Sequence, residues 1–183
     1  MTTSETLLGL LRGPGQPGAW NQFVSLYSPV IYAWLKSKNL SDADAADLMQ
    51  DIFSVLVVKL PQFEYDRDRS FRCWLRTITL NIWRNHCRQW AKREKPVENL
   101  SEVPERTDFF SEDEYRRQLT AQALEMIRPE FKATTWQAFI SHGIDGRPAA
   151  EVAEELGTSI GAVYASRCRV VGRLRVYLQG LLD

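Results

Sequence analysis

The side chains best equipped for chemistry lie in one stretch, residues 71–95, FRCWLRTITLNIWRNHCRQWAKREK, which holds no Gly or Pro. At about 100° per residue, Thr77, Asn81, Arg84, Arg88 and Lys92 share a polar ridge. Arg72, Arg76, Trp83 and Trp90 form the neighbouring strip. Guanidinium groups beside indole rings suit a single-stranded nucleic acid, because cations meet phosphates and flat rings stack on unpaired bases. Asn81 offers both a donor and an acceptor to a base edge. On periodicity alone a second reading stays open, a solvated basic face whose tryptophans anchor the core. Catalysis is not expected. His86 and His142 have no Ser or Cys partner at a recognisable spacing, no Gly-rich phosphate loop occurs, and the acids between 42 and 51 fall on one exposed helix face. Cys73, Cys87 and Cys168 form no C-x-x-C pair and read as reduced, buried thiols, with neither a metal site nor a cofactor implied.

For those side chains to act together, the stretch must be a helix with a buried back, and Phe71, Leu75, Ile78 and Ile82 supply that stripe. Upstream, Trp20, Phe23, Val24, Tyr27, Ile31, Trp34 and Leu35 predict a helix over 20–39, kinked or broken at Pro29. Ser41 is a good N-cap for a second helix, with Asp42 and Asp44 in its positive first turn and Leu48, Met49, Ile52, Leu56 and Leu60 inward. Its far side carries Asp47, Gln50, Asp51 and Ser54. Residues 62–70 read as a charged, aromatic-bearing loop, and 98–113 as a flexible acidic linker. A helix resumes near Glu114 with Tyr115, Leu119, Ala123, Leu124 and Ile127 inward, and Pro129 begins another carrying Phe131, Trp136, Phe139 and Ile140. No strand pattern and no repeat appears.

The last third follows helix-turn-helix grammar. HGIDGRP reads as a turn, 148–156 as a short helix stopped by Gly157, and Ser159 as the cap of a long helix with Ile160, Val163, Val170, Leu174 and Leu178 inward. The first residues of that second helix, with Arg167 and Arg169, are placed to enter a major groove, while Arg173 and Arg175 can reach phosphates. The expected fold is therefore all-α: two small helical domains joined by a flexible acidic linker, the C-terminal one a helix-turn-helix. The boundaries expected are an extension over 1–19, a helical domain over 20–95, a linker over 96–116 and the helix-turn-helix domain over 117–183.

Charge agrees with several partners. The net charge is zero, yet 41–65 and 98–114 are acidic while 67–95 and 167–175 are basic. Hydrophobic content of 44% is ordinary for a globular chain. No apolar run approaches the ~20 residues of a membrane span, and the first residues lack the pattern of a secretory signal, so a cytoplasmic protein without membrane insertion is expected.

The order of an acidic helix, an aromatic loop, an F-x-x-W-L-x-x-I-x-x-N helix, a linker and a helix-turn-helix resembles the sigma-70 family of bacterial RNA polymerase sigma factors, in its small extracytoplasmic-function class. DADAADLMQDIFSVLVVKLPQFEYD, SFRCWLRTITLNIWRNHCRQ and the final helix-turn-helix carry the resemblance, over about residues 20–95 and 119–178. It implies a transcription initiation factor whose partners are core RNA polymerase and promoter DNA, with an anti-sigma factor as a further partner the class allows. By position, Asp47, Gln50, Asp51, Phe53 and Ser54 match the helix that docks on the clamp helices of the largest polymerase subunit. The loop with Phe63, Tyr65, Arg67 and Arg69 matches the one that receives a flipped −10 base. Arg72, Trp74, Arg76, Asn81, Arg84, Asn85 and Arg88 match the helix facing the opened strand. Ser159, Gly161, Ala162, Tyr164, Ala165, Arg167, Arg169 and Arg173 match the −35 reader.

Two departures stand out. The Asp common four residues after the family's Asn is here Asn85, and the frequent G-T-V-K-S-R is here Gly161-Ala162-Val163-Tyr164-Ala165-Ser166, which makes Arg167 and Arg169 the leading −35 contacts. A helix-turn-helix regulator of closed duplex DNA is the alternative. It would need neither the aromatic loop nor the acidic helix, and comigration with core polymerase would separate the two. A helical adaptor would lack salt-dependent DNA binding altogether.

Overall fold

The protein's structure, a computed structural model, describes residues 7–13, 17–64, 70–93 and 111–182. All regular structure among them is helical: α1 (Leu7–Arg12), α2 (Pro17–Lys36), α3 (Asp42–Lys59), α4 (Phe71–Arg93), α5 (Glu112–Ile127), α6 (Ala133–Ala138), α7 (Ala149–Glu155) and α8 (Ile160–Tyr177). The chain divides into two compact units, Leu7–Leu119 with Gly180–Asp183 and, between them in sequence, Thr120–Gln179. The division falls inside α5, and the linker expected over 96–116 lies largely outside the described residues.

In the first unit α2, α3 and α4 share the core. Pro17 opens α2, where a missing N–H costs nothing, so the helix begins before its first apolar residue. It runs unbroken through Pro29, flanked by buried Leu26, Tyr27, Val30 and Ile31, so packing holds the turn that the proline weakens. Ser41 has extended backbone and accepts the Asp44 N–H at 3.1 Å, which starts α3 where its chemistry says it should start. Leu48, Ile52, Leu56 and Leu60 of the second stripe are buried, and so are Phe71, Leu75 and Ile78 of α4, which packs on α3. Each such aliphatic or aromatic side chain contributes roughly 1.5–3 kcal/mol by leaving water. α1, within the extension expected over 1–19, belongs to this unit: Leu7, Leu8 and Leu11 are buried, and the helix packs on α2 and on the 3₁₀ turn Leu60–Gln62.

The first half of α5 closes the unit. Tyr115 is fully buried and donates its hydroxyl proton to the Leu181 carbonyl at 3.0 Å, so the Tyr27 hydroxyl, 3.0 Å away, donates to Tyr115. Burial raises the pKa of both phenols, further helped at Tyr27 by the neighbouring Tyr115. Arg116 reaches the Leu182 carbonyl at 3.4 Å.

The second unit centres on Ala138, Ala149, Val152, Ala153 and Val163, with Leu156 packed at its edge. α7 ends in a Schellman motif: the Thr158 N–H bonds the Ala153 carbonyl at 2.9 Å and the Gly157 N–H bonds that of Glu154 at 3.2 Å. Gly157 takes φ of 60°, a backbone that only glycine adopts cheaply. Ser159 then caps α8 by accepting the Ala162 N–H at 3.1 Å.

Several expectations for this unit are corrected. Pro129 lies in a 3₁₀ turn, Arg128–Glu130, and α6 begins only after Lys132. Residues Phe139–Ile144 wind as a π-helical turn, so the first half of HGIDGRP is helical. Ile160, in the first turn of α8, is exposed, and Ser166 takes an inward place between Val163 and Val170. Ser166 is tolerated there because its hydroxyl bonds the Ala162 carbonyl at 2.8 Å. Cys73 and Cys168 are exposed and Cys87 half-buried, against the expectation of buried thiols.

Candidate functional site

Three surfaces carry the candidate residues. On α3, the packing of Leu48, Ile52 and Leu56 turns Asp47, Gln50, Asp51 and Ser54 outward, and all four are exposed. Val57 and Val58, also exposed, extend this face with apolar surface that no motif had singled out. Phe53 sits at its margin, half-buried, with its ring edge-on to Phe23 at 6.3 Å. It therefore serves the core as well as the surface.

On α4, the ridge read from periodicity is described as far as Arg88, and the Lys92 side chain lies outside the described residues. Thr77, Asn81, Asn85 and Arg88 are exposed and Arg84 is half-buried. Arg88 donates to the Asn85 side-chain oxygen at 3.2 Å, which orients both along the helix. The arginine–tryptophan strip is less open than expected. Arg76 and Trp83 are half-buried, and their Nε and Nε1 atoms are out of water with no hydrogen-bond partner among the described residues. Trp83 packs edge-on to Trp34 at 5.9 Å and Trp90 against His86 at 4.3 Å. Arg72 lies over the Tyr115 ring at 5.5 Å and within 3.8 Å of Glu112, so α5 engages it inside the first unit.

The aromatic loop needs a correction. Phe63 is only 6% exposed, with its ring 5.4 Å from Phe71 and 4.9 Å from Trp74. Phe71 is fully buried and Trp74 half-buried in the same cluster. These rings close the core beneath the loop, so Phe63 has no face left for a base, and Trp74 only part of one. Arg12 lies over the Phe63 ring at 5.8 Å, a contact between residues 51 positions apart that no periodicity predicts. Tyr65, Arg67 and Arg69 lie outside the described residues.

On α8, Ser159, Gly161, Tyr164, Ala165, Arg167 and Arg169 are exposed, and Ala162 is half-buried. Two of the proposed contacts have structural duties. The Ser159 side chain accepts from the helix N-terminus. Arg173 makes two bonds to the Glu130 carboxylate, at 2.6 and 2.8 Å, and lies over the Tyr177 ring at 5.5 Å. It ties α8 to the 3₁₀ turn and is not poised for a phosphate. The Glu130 hydrogen bond raises its pKa.

No described group of His, Cys, Asp and Glu is arranged to hold a metal ion, and no described helix is long and apolar enough to cross a membrane.

Residues 23–94 match the family model of sigma-70 region 2, the span that contains the α3 face and the whole α4 ridge. The ferric citrate uptake sigma factor FecI of Escherichia coli is 31% identical over 145 residues, 77% of this chain and 82% of that one. The chain belongs to the RNA polymerase sigma factor family. The sigma factor CnrH of Cupriavidus metallidurans is 27% identical over 187 residues, 98% of this chain and 95% of that one. The solved structure of CnrH in complex with the cytosolic domain of CnrY covers 94% of this chain at 24% identity, with a TM-score of 0.38. As a sigma factor, the protein directs transcription initiation by RNA polymerase.

Proposed function

We propose that this sigma factor divides its work among the three surfaces. The exposed face of α3 around Asp47, Gln50 and Asp51 docks on the clamp helices of the largest polymerase subunit. Asn81, Asn85 and Arg88, with Arg84 beside them, face the opened −10 strand. The start of α8 reads −35 duplex DNA in the major groove, which makes residues 120–179 the −35 module and the earlier helices the −10 and polymerase module. The protein acts in the cytoplasm as a non-catalytic subunit, and an anti-sigma factor is a further partner.

The observation that carries the reading is the solvent-facing row Asn81–Asn85–Arg88 on a helix whose opposite side is core. Helix packing does not need those side chains, while a melted strand can use them: amides discriminate base edges and guanidinium groups hold phosphates. Flipping a base costs a few kcal/mol, and melting without ATP requires that cost to be met by contacts of this kind.

The test is permanganate footprinting of a cognate promoter. Asn81→Ala and Arg84→Ala should reduce thymine reactivity in the −10 region while the variants keep wild-type polymerase affinity and thermal midpoint. Normal melting by both variants would overturn the assignment of this ridge.

A further inference from the structure

The structure assigns thymine recognition to Tyr164, with Ile160 beside it and His142 holding its ring. This rests on the −35 reading proposed above for α8.

In a helix-turn-helix, the first turns of the second helix meet the base edges. In this chain those turns present no charge. Ile160, Gly161, Tyr164 and Ala165 are exposed, and the first cation of α8 is Arg167. Ile160 is 49% and Tyr164 50% exposed, among the few large apolar side chains that the second unit leaves in water. They stand four residues apart, so they share one side of the helix, and Arg167 continues the same stripe.

Major-groove chemistry then narrows the choice. Guanine is read by bidentate Arg or Lys, and adenine by Asn or Gln, none of which occurs in these turns. The major-groove feature that suits an apolar side chain is the C5-methyl of thymine. The Tyr164 hydroxyl can in addition donate to the neighbouring O4 acceptor.

A large exposed ring reads a base better when it is supported from behind, and Tyr164 has such a support. The His142 ring meets it edge-on, with centroids 5.1 Å apart and planes at 86°. His142 is itself fixed: its Nδ1 lies 2.8 Å from the Arg147 carbonyl, which can only accept, so Nδ1 carries the proton. The π-helical turn that brings His142 to α8 approaches closely through Gly143, where a Cβ would sit 3.1 Å from the Phe139 ring and 3.6 Å from Arg167 Cγ. The turn, the histidine and the tyrosine thus form one support that ends in an apolar tip. The preference it produces is for a thymine in the −35 element, next to a position within reach of Arg167.

The experiment is a selection from promoter fragments with a randomised −35 region, using the full-length protein bound to core RNA polymerase. Binding of the selected fragments is then measured with each −35 thymine replaced by deoxyuridine, which removes only the methyl group. Wild-type protein should enrich thymine at one or two positions and lose about fourfold in affinity on deoxyuridine substitution there, the ~0.8 kcal/mol of one buried methyl. Tyr164→Ala should abolish both the enrichment and the deoxyuridine effect. His142→Ala should weaken both, and His142→Phe should restore them, because it keeps an edge-on ring. A defined −35 preference that survives Tyr164→Ala, or is indifferent to deoxyuridine, overturns thymine recognition and leaves the −35 reading intact. If no base is enriched in the −35 region by any variant, the −35 reading falls and this inference with it.

Discussion

Replacing Tyr115 by Phe removes one oxygen that serves two hydrogen bonds, one from the Tyr27 hydroxyl and one to the Leu181 carbonyl, each 3.0 Å long. A buried neutral hydrogen bond contributes ~1 kcal/mol net, and a hydroxyl stranded in the core costs ~1–3 kcal/mol more. Tyr115→Phe loses both bonds and strands the fully buried Tyr27 hydroxyl, so the loss should be about 3–5 kcal/mol. Tyr27→Phe removes one bond and strands nothing, because Tyr115 keeps its acceptor at Leu181, so it should cost ~1 kcal/mol. The double variant loses both bonds without leaving an unpaired phenol and should cost ~2 kcal/mol, less than Tyr115→Phe alone. Urea unfolding of the full chain followed by tryptophan fluorescence reads this directly, because all tryptophans but Trp136 fall in Leu7–Leu119. A double variant less stable than Tyr115→Phe, or two single variants of equal cost, would refute the directed relay.

The same pair sets an alkaline limit: both phenols have raised pKa values in the folded protein, so their stabilisation is full below pH ~10 and declines as pH rises beyond it, and the denaturant midpoint of the double Phe variant should fall less steeply above pH 10. Asp47→Lys with Asp51→Lys should weaken retention of core polymerase at least tenfold in a pull-down, with circular dichroism unchanged because both side chains are exposed. Gly157→Ala meets no atom of the described residues within 4 Å of the new Cβ, so its cost is that of the φ of 60°. That is about 1–2 kcal/mol, which should appear as roughly 5- to 30-fold faster amide exchange in α7 and the start of α8.

Features with a local cause were legible in the sequence. Ser41 and Ser159 cap their helices because an extended Ser before an apolar run has few better uses, and Gly157 ends α7 because the turn demands a left-handed residue. The α4 ridge was legible because one continuous helix fixes its own faces, whatever packs behind it. What sequence could not give depended on distant residues. Phe63 looks available beside a charged loop, and only the approach of Phe71 and Trp74 buries it. Arg173 looks free on α8, and its partner Glu130 is 43 residues away. Ser166 broke the inward pattern because its hydroxyl is satisfied within its own helix, which a hydropathy stripe does not register. Tyr164 marked a departure from the family pattern, but the His142 ring beside it depends on a π-turn that reads as a loop.

The Tyr115–Leu181 bond spans 66 residues, and between its ends lie all the described residues of the second unit. In connectivity, the helix-turn-helix is an insertion within the unit that precedes it. A chain emerging from the ribosome can therefore collapse α1 to α4 early, but it lacks the acceptor for Tyr115 until residues 120–179 have been made. The unit synthesised first is the one completed last, and until then the Tyr115 hydroxyl, still beside Tyr27, lacks its Leu181 acceptor. A fragment cut after Leu119 would stay in that condition, so the isolated −10 module is a less stable object than the same helices in the intact protein.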